Sequence, residues 1–241
     1  MAAVTLLEAR GLTRSFGGLR AVDHVDFALR IGEIHALIGP NGAGKTTFVS
    51  LLSGRLQPDA GQIRFDGADV TRLPAHARVA RGIAYTFQIT SIYAGLTVAD
   101  NLALAVQRHP TRDLAGETAR AAARVGLGDH LGQVAGLLSY GHQRLLEIGM
   151  GLALRPRLLI LDEPTQGLAN TEIDGFTALI RSLLPETTVL LIEHNMDVVM
   201  ALAERITVLN FGKVLASGAP AEIRANRAVQ DAYLGGHHAA D

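Results

Sequence analysis

The chain has no cysteine, so neither a disulfide nor a thiolate metal site can belong to its design. It has no apolar run approaching the roughly 18 residues of a membrane-spanning helix. Its start, "MAAVTLLEARGLTR", lacks the basic opening and apolar core of a signal peptide. Net charge is almost absent: 22 basic and 23 acidic residues leave −1, so no overall field draws the chain to nucleic acid or to an anionic membrane surface. Proline is limited to 8 of 241 residues, and a hydrophobic content of 48% excludes a disordered chain and suffices for one large domain. No internal repeat is present, and the only biased tract is the short tail "GGHHAAD", residues 235–241, which reads as a frayed end. A chain of this kind serves a membrane, if at all, from the side.

What is present is alternation. Apolar strand-like runs occur at Glu33 to Ile38, Ile83 to Phe87, Arg157 to Asp162, Thr188 to Glu193 and Ile206 to Asn210. Several are apolar at successive positions, as in strands buried on both faces. Helical periodicity fills Lys45 to Ser53, Gln143 to Leu154, Thr171 to Leu184 and Asn195 to Ala203. This order predicts an α/β core with a mostly parallel sheet. The interval from about Ile89 to Gly141 is helix-like with little strand signal, and we read it as an inserted helical subdomain within a single domain spanning 1–241. Within it, "ETARAAARVG" reads as a solvated amphipathic helix.

The motif with the clearest chemistry is "GPNGAGKTT", Gly39, Pro40, Asn41, Gly42, Ala43, Gly44, Lys45, Thr46 and Thr47, between the strand "EIHALI" and a helix. Glycines at these positions let backbone N–H groups curl around phosphates, and the helix N-terminus adds its dipole. Lys45 is placed to reach the outer phosphates and the Thr46 hydroxyl to ligate Mg²⁺. A second glycine turn, "LSYGHQ", also opens a helix and is likewise an anion site by geometry. The strand "RLLILDEP" delivers two adjacent carboxylates, which must point to opposite sides. Asp162 suits the Mg²⁺ shell, and Glu163 suits polarising a water for attack on a γ-phosphate.

The phosphate loop, "LSYGHQ", "LLILDEP", Gln88 in "YTFQ" and His194 in "IEHN", in this order, resemble the nucleotide-binding subunit of ABC transporters over nearly the whole chain. The resemblance implies a P-loop NTPase core with an N-terminal antiparallel β part and two subunits paired head to tail, homo- or heteromeric. ATP would lie between the phosphate loop of one and Ser139, Tyr140, Gly141 and His142 of the other. It implies that Gln88 joins the metal site to the helical subdomain, that His194 bonds the γ-phosphate or the attacking water, and that Phe16 stacks on adenine. The partners it implies are two integral membrane permease subunits and, indirectly, a solute-binding protein, with this chain peripheral on the cytoplasmic face of the inner membrane.

"FGGLRAV" at Phe16 to Val22, "AYLG" at Ala232 to Gly235, Tyr140 and Glu147 are similar to the branched-chain amino acid importer branch. Urea, amide and aromatic-acid importers of that branch stay open, as does a lipopolysaccharide-export-like system, which "LPAHARVARGIAY" also resembles. His142 and Ala169 depart from the family's usual Gln and Asp, which raises the expectation of two unequally active ATP sites in the working dimer. The non-transport alternatives are a regulatory cassette that binds ATP without hydrolysing it, or a soluble cassette acting on nucleic acid or ribosomes. The latter would bring a basic surface or a coiled coil, and neither is present. A GTPase would carry Asn-Lys-x-Asp, which is absent.

Overall fold

The computed structural model describes residues 4–86 and 91–234. Two sheets are built from different kinds of sequence. β1 (Thr5–Phe16) and β2 (Leu19–Arg30) form a hairpin closed by Gly17 and Gly18, whose φ values of 52° and 88° suit the left-handed turn that matches strand twist. β1 also pairs antiparallel with β4 (Ala60–Phe65), and β4 with β5 (Ala68–Asp69), giving the order β2-β1-β4-β5. One face of this sheet is wet and the other supplies Leu7, Leu12, Val25, Phe27 and Ile63 to the core.

The second sheet has the order β10-β9-β3-β8-β7-β6. β3 (Ile34–Ile38), β6 (Ile83–Thr86), β7 (Leu158–Asp162), β8 (Thr188–Ile192) and β9 (Arg205–Asn210) run parallel, and only β10 (Lys213–Gly218) is antiparallel, at the edge. Every residue of β3, β7 and β8 is buried, which is why these strands read as continuous apolar runs rather than as alternation.

Helices cover both faces. α1 (Lys45–Ser53) follows β3 and ends at Gly54 in the left-handed conformation; α2 (Ala75–Val79) precedes β6. α3 (Val98–Val106) starts at a capping box between Thr97 and Asp100, and α4 (Leu114–Arg124) at Asp113. α4 is amphipathic as expected but not merely solvated, since Thr118 and Ala122 are buried. α5 (Tyr140–Ala153) begins earlier than Gln143, because the Ser139 hydroxyl accepts from the His142 N–H and caps the helix there. Tyr140, Gly141 and His142 therefore lie in its first turn. α6 (Asn170–Ser182), α7 (Met196–Leu202), α8 (Pro220–Ala225) and α9 (Arg227–Leu234) complete the chain.

α3, α4 and α5 share one cluster with the sheet: Leu102, Ala122, Val125, Leu146 and Ile148 pack with Leu159, Leu161 and Leu191. α3 and α4 are thus fastened to the parallel sheet through α5. Residues 235–241, read from the sequence as a frayed tail, lie outside the described residues, as does Gln88. Among the described residues, no helix is long and apolar enough to cross a membrane.

Candidate functional site

The phosphate loop is possible only with glycine at two of its turns. Gly39 has φ 152° and a Cβ there would lie 2.2 Å from the Leu209 carbonyl oxygen; at Gly44, φ 97°, it would lie 2.1 Å from the Ala21 oxygen. The chain curls tightly between β3 and α1 as a result. The backbone N–H groups of Gly42, Gly44, Lys45, Thr46 and Thr47 find no acceptor among the described residues. Five such amides at a helix N-terminus form a ready cradle for an anion.

Lys45 is buried and its Nζ donates to the carbonyls of Gly39 at 2.7 Å and Pro40 at 3.0 Å, across its own loop. Burial lowers its pKa, opposed by the nearby carboxylates of Glu163 and Asp162. A cavity of about 430 Å³ opens here, lined by the loop from Asn41 to Thr47 together with Glu163, His194, Leu19, Phe211 and Gly212.

The end of β7 separates two carboxylates. Asp162 is buried and accepts from the Tyr85 hydroxyl at 2.6 Å. Burial raises its pKa, the Tyr85 bond pulls it back, and the Glu163 charge pushes it up again. The Tyr85 phenol is itself pushed up by burial and by Asp162, and Arg55 sits over its ring at 4.9 Å.

Glu163 adopts φ 48°, a left-handed conformation that turns its side chain away from Asp162. Its N–H donates to the Ile192 oxygen, and its Oε1 lies 2.7 Å from His194 Nε2. Glu193, buried at the end of β8, holds this arrangement: it accepts from Thr165 N and Oγ1, His194 N and Asn195 N.

The second glycine turn stands elsewhere. None of Ser139, Tyr140, Gly141 and His142 lines the cavity around Lys45. Gly141 faces Glu172, whose carboxylate also caps the Ala169 N–H at 2.8 Å, and a Cβ on Gly141 would lie 2.2 Å from Glu172 Oε1. The Tyr140 ring covers Gly167. Arg144, fully buried on α5, donates to the Asp162 oxygen at 2.5 Å and to Glu147 at 2.7 Å, which ties this helix to the carboxylate strand.

Of the residues singled out in the sequence, Lys45, Thr46, Thr47, Glu163 and His194 share one cavity and Asp162 stands beside it. Phe16 is exposed under the Arg14 guanidinium, outside the cavity lining. Sequence reasoning missed Tyr85, Arg144 and Glu193. A carboxylate closing the wholly apolar run "TVLLIE" next to His194 was the available signal for the last.

A family model for ABC transporters matches residues 22–166, and one for branched-chain amino acid ATP-binding cassette transporters matches residues 213–239. The high-affinity branched-chain amino acid transport ATP-binding protein BraF of Pseudomonas aeruginosa is 43% identical, over 95% of this chain and 98% of the relative. LivG of Escherichia coli, carrying the same description, is 38% identical with the same coverage. Among solved structures, the ADP conformation of MJ1267, an ATP-binding cassette of an ABC transporter, superposes with a TM-score of 0.89 at 25% identity, over 96% of this chain and 99% of that one. A nucleotide-free cassette from an ABC transporter superposes with a TM-score of 0.87, also at 25% identity, over 95% and 99%.

Proposed function

The chain belongs to the ATP-binding cassettes of ABC transporters, and from that membership we propose that it is the ATP-hydrolysing subunit of an importer of branched-chain or other hydrophobic amino acids. The observation that carries the catalytic half is the meeting of unpaired phosphate-loop amides, Lys45 and the Glu163–His194 pair in one cavity. The solute assignment rests on the likeness to BraF and LivG and on the match of the C-terminal segment.

The loop amides and Lys45 hold the polyphosphate of ATP, and Glu163 accepts a proton from the attacking water while His194 fixes the direction of its carboxylate. The Thr46 hydroxyl, which lines the cavity, and the Asp162 carboxylate, whose charge acts on Lys45, are the oxygen donors that suit a small hard cation. Mg²⁺ held there would neutralise charge developing on the phosphates. Ser139 and Gly141 do not border this cavity, and in this reading a second cassette supplies them head to tail. Binding then depends on the γ-phosphate, and hydrolysis reverses it.

The helical insertion, from about 89 to 141, faces the membrane subunits: Tyr93, Leu96, Val134 and Leu137 are exposed apolar side chains on that one part of the chain. Gln88, by family register, links it to the metal site. The subunit sits on the cytoplasmic face.

The test is ATP turnover of this chain assembled with its membrane subunits in lipid, with the solute-binding protein empty, loaded with leucine or loaded with urea. Stimulation by the leucine-loaded form supports the reading. Stimulation by urea alone replaces the solute, and indifference to every form rejects import.

A further inference from the structure

A second cavity, of about 450 Å³, opens between the end of α4, the first turns of α5 and the face of α6, apart from the one around Lys45. Its size is that of a small-molecule site. Its lining is largely apolar, from Val125, Leu145, Ile148, Leu168, Phe176 and Leu179. On α6 the lining residues Glu172, Gly175, Phe176 and Leu179 follow the spacing of one helix face. Gly175 leaves that face unfilled, since a Cβ there would meet no atom within 4 Å.

Four side chains that can carry charge border this cavity, and they differ in what else holds them. Arg144 is buried and bonded to Glu147 and to the Asp162 oxygen. The His142 ring packs against the His130 ring, centroids 4.7 Å apart. Glu172 caps the Ala169 N–H with Oε2 and faces Gly141 with Oε1. Arg124 is different: it makes no hydrogen bond among the described residues. Its ion pair there is with Glu186, at 3.8 Å and 81% exposed, which is too long and too wet to engage the guanidinium strongly.

We propose that this cavity binds a small carboxylic acid with a branched aliphatic body, its carboxylate on Arg124 and its body between α5 and α6. An apolar pocket bordered by an underused guanidinium is complementary to an apolar anion. The choice of body rests on the importer reading, because a subunit that serves the uptake of leucine and its kin works where that chemistry is delivered. Glu172 is an acceptor for an amino group on the same molecule. It also faces Gly141, so an occupant would touch the support of the second glycine turn.

The experiment is calorimetric titration of the full chain with leucine, with its 2-oxo acid 4-methyl-2-oxopentanoate and with alanine, comparing the parent with Arg124→Gln and Gly175→Leu. Leucine or its oxo acid is expected to saturate the parent below about 10 mM, and alanine to bind at least about tenfold more weakly for want of the aliphatic body. Tighter leucine assigns the amino group to Glu172, and tighter oxo acid assigns the bare carboxylate. Arg124→Gln should weaken binding about tenfold, the scale of one charged hydrogen bond. Gly175→Leu, which fills the α6 face and favours the helix, should abolish it, with ADP affinity at the parent level in both variants. No saturation by either acid, alanine equal to leucine, or undiminished binding in either variant overturns the site. None of these touches the importer reading, which turnover with the leucine-loaded solute-binding protein decides separately.

Discussion

His194 Nε2 lies 2.7 Å from Glu163 Oε1 across a separation of 31 positions in the chain. Neither residue is placed by its own strand alone. Glu163 leaves β7 in a left-handed conformation and hangs on Ile192, while His194 leaves β8 with its N–H on Glu193. The pair offers a carboxylate oriented by an imidazole next to a phosphate cradle. Glu163→Gln is expected to lower ATP turnover by about a hundredfold, ~2.7 kcal/mol of transition-state stabilisation, with ATP affinity retained. His194→Ala should fall in the same direction. Steady-state kinetics beside equilibrium nucleotide binding separates the two effects, and equal turnover in Glu163→Gln would remove that residue from the mechanism.

Glu193 is expected to matter as much for architecture as Glu163 does for chemistry. Its carboxylate collects donors from Thr165, His194 and Asn195 in a buried setting. Glu193→Ala strands those groups and should cost about 3 kcal/mol of stability, read as a shift in urea midpoint. Turnover per folded molecule should fall as well, because the turn carrying His194 loses its anchor.

A buried cation closes the other end of the phosphate-loop helix. Arg78 is fully buried and donates to the oxygens of Leu51, Leu52, Thr71 and Leu73, and burial brings its pKa down to about 10. These carbonyls include the last turn of α1, where a positive charge also answers the helix dipole. Arg78→Met keeps the volume and removes the donors, so a loss of about 3 kcal/mol or more is expected in chemical denaturation. Arg78→Lys should recover only part of it, since one ammonium cannot reach the same set of carbonyls.

Asp23, which holds the turn bearing Phe211, has its pKa lowered from 3.8 to about 2, first by the His24 hydrogen bond and further by Arg20 and Lys213. A depressed folded pKa means that this contribution is present above 3.8 and is lost as pH falls through about 2. Asp23→Asn should therefore flatten the decline in stability over that interval and leave the slope near neutrality unchanged. Unfolding midpoints measured across acid pH check the sign.

Legibility in the sequence followed burial. α1 spans the residues its pattern marks, and β3, β7 and β8 could be read because strands buried on both faces leave unbroken apolar runs. The antiparallel strands carried a weaker signal: β1 slips register at several points against β2, so its inward and outward positions do not alternate cleanly. At the site, the residues that line the cavity around Lys45 were readable from glycine spacing and a strand-end carboxylate. Tyr85, Arg144 and Glu193 were not, because each acts on a partner distant in sequence, and only the fold brings Tyr85 to Asp162 or Arg144 to the Asp162 carbonyl. The same holds for Phe211, whose turn is brought beside the phosphate loop by the Gly212 N–H donating to the Ala43 carbonyl.

The turn at Ser139 and Gly141 does not border the cavity of its own chain, and the proposed head-to-tail pairing of two cassettes is the reading this supports. The most direct measurement is sedimentation velocity of the Glu163→Gln variant, expected to bind ATP while turning it over about a hundredfold more slowly, in saturating MgATP and in MgADP. The account predicts a dimer with ATP and a monomer with ADP, and a monomer again with ATP when Ser139→Ala and Gly141→Asp are added. A chain saturated with ATP that stays monomeric, or a dimer indifferent to those substitutions, would contradict it.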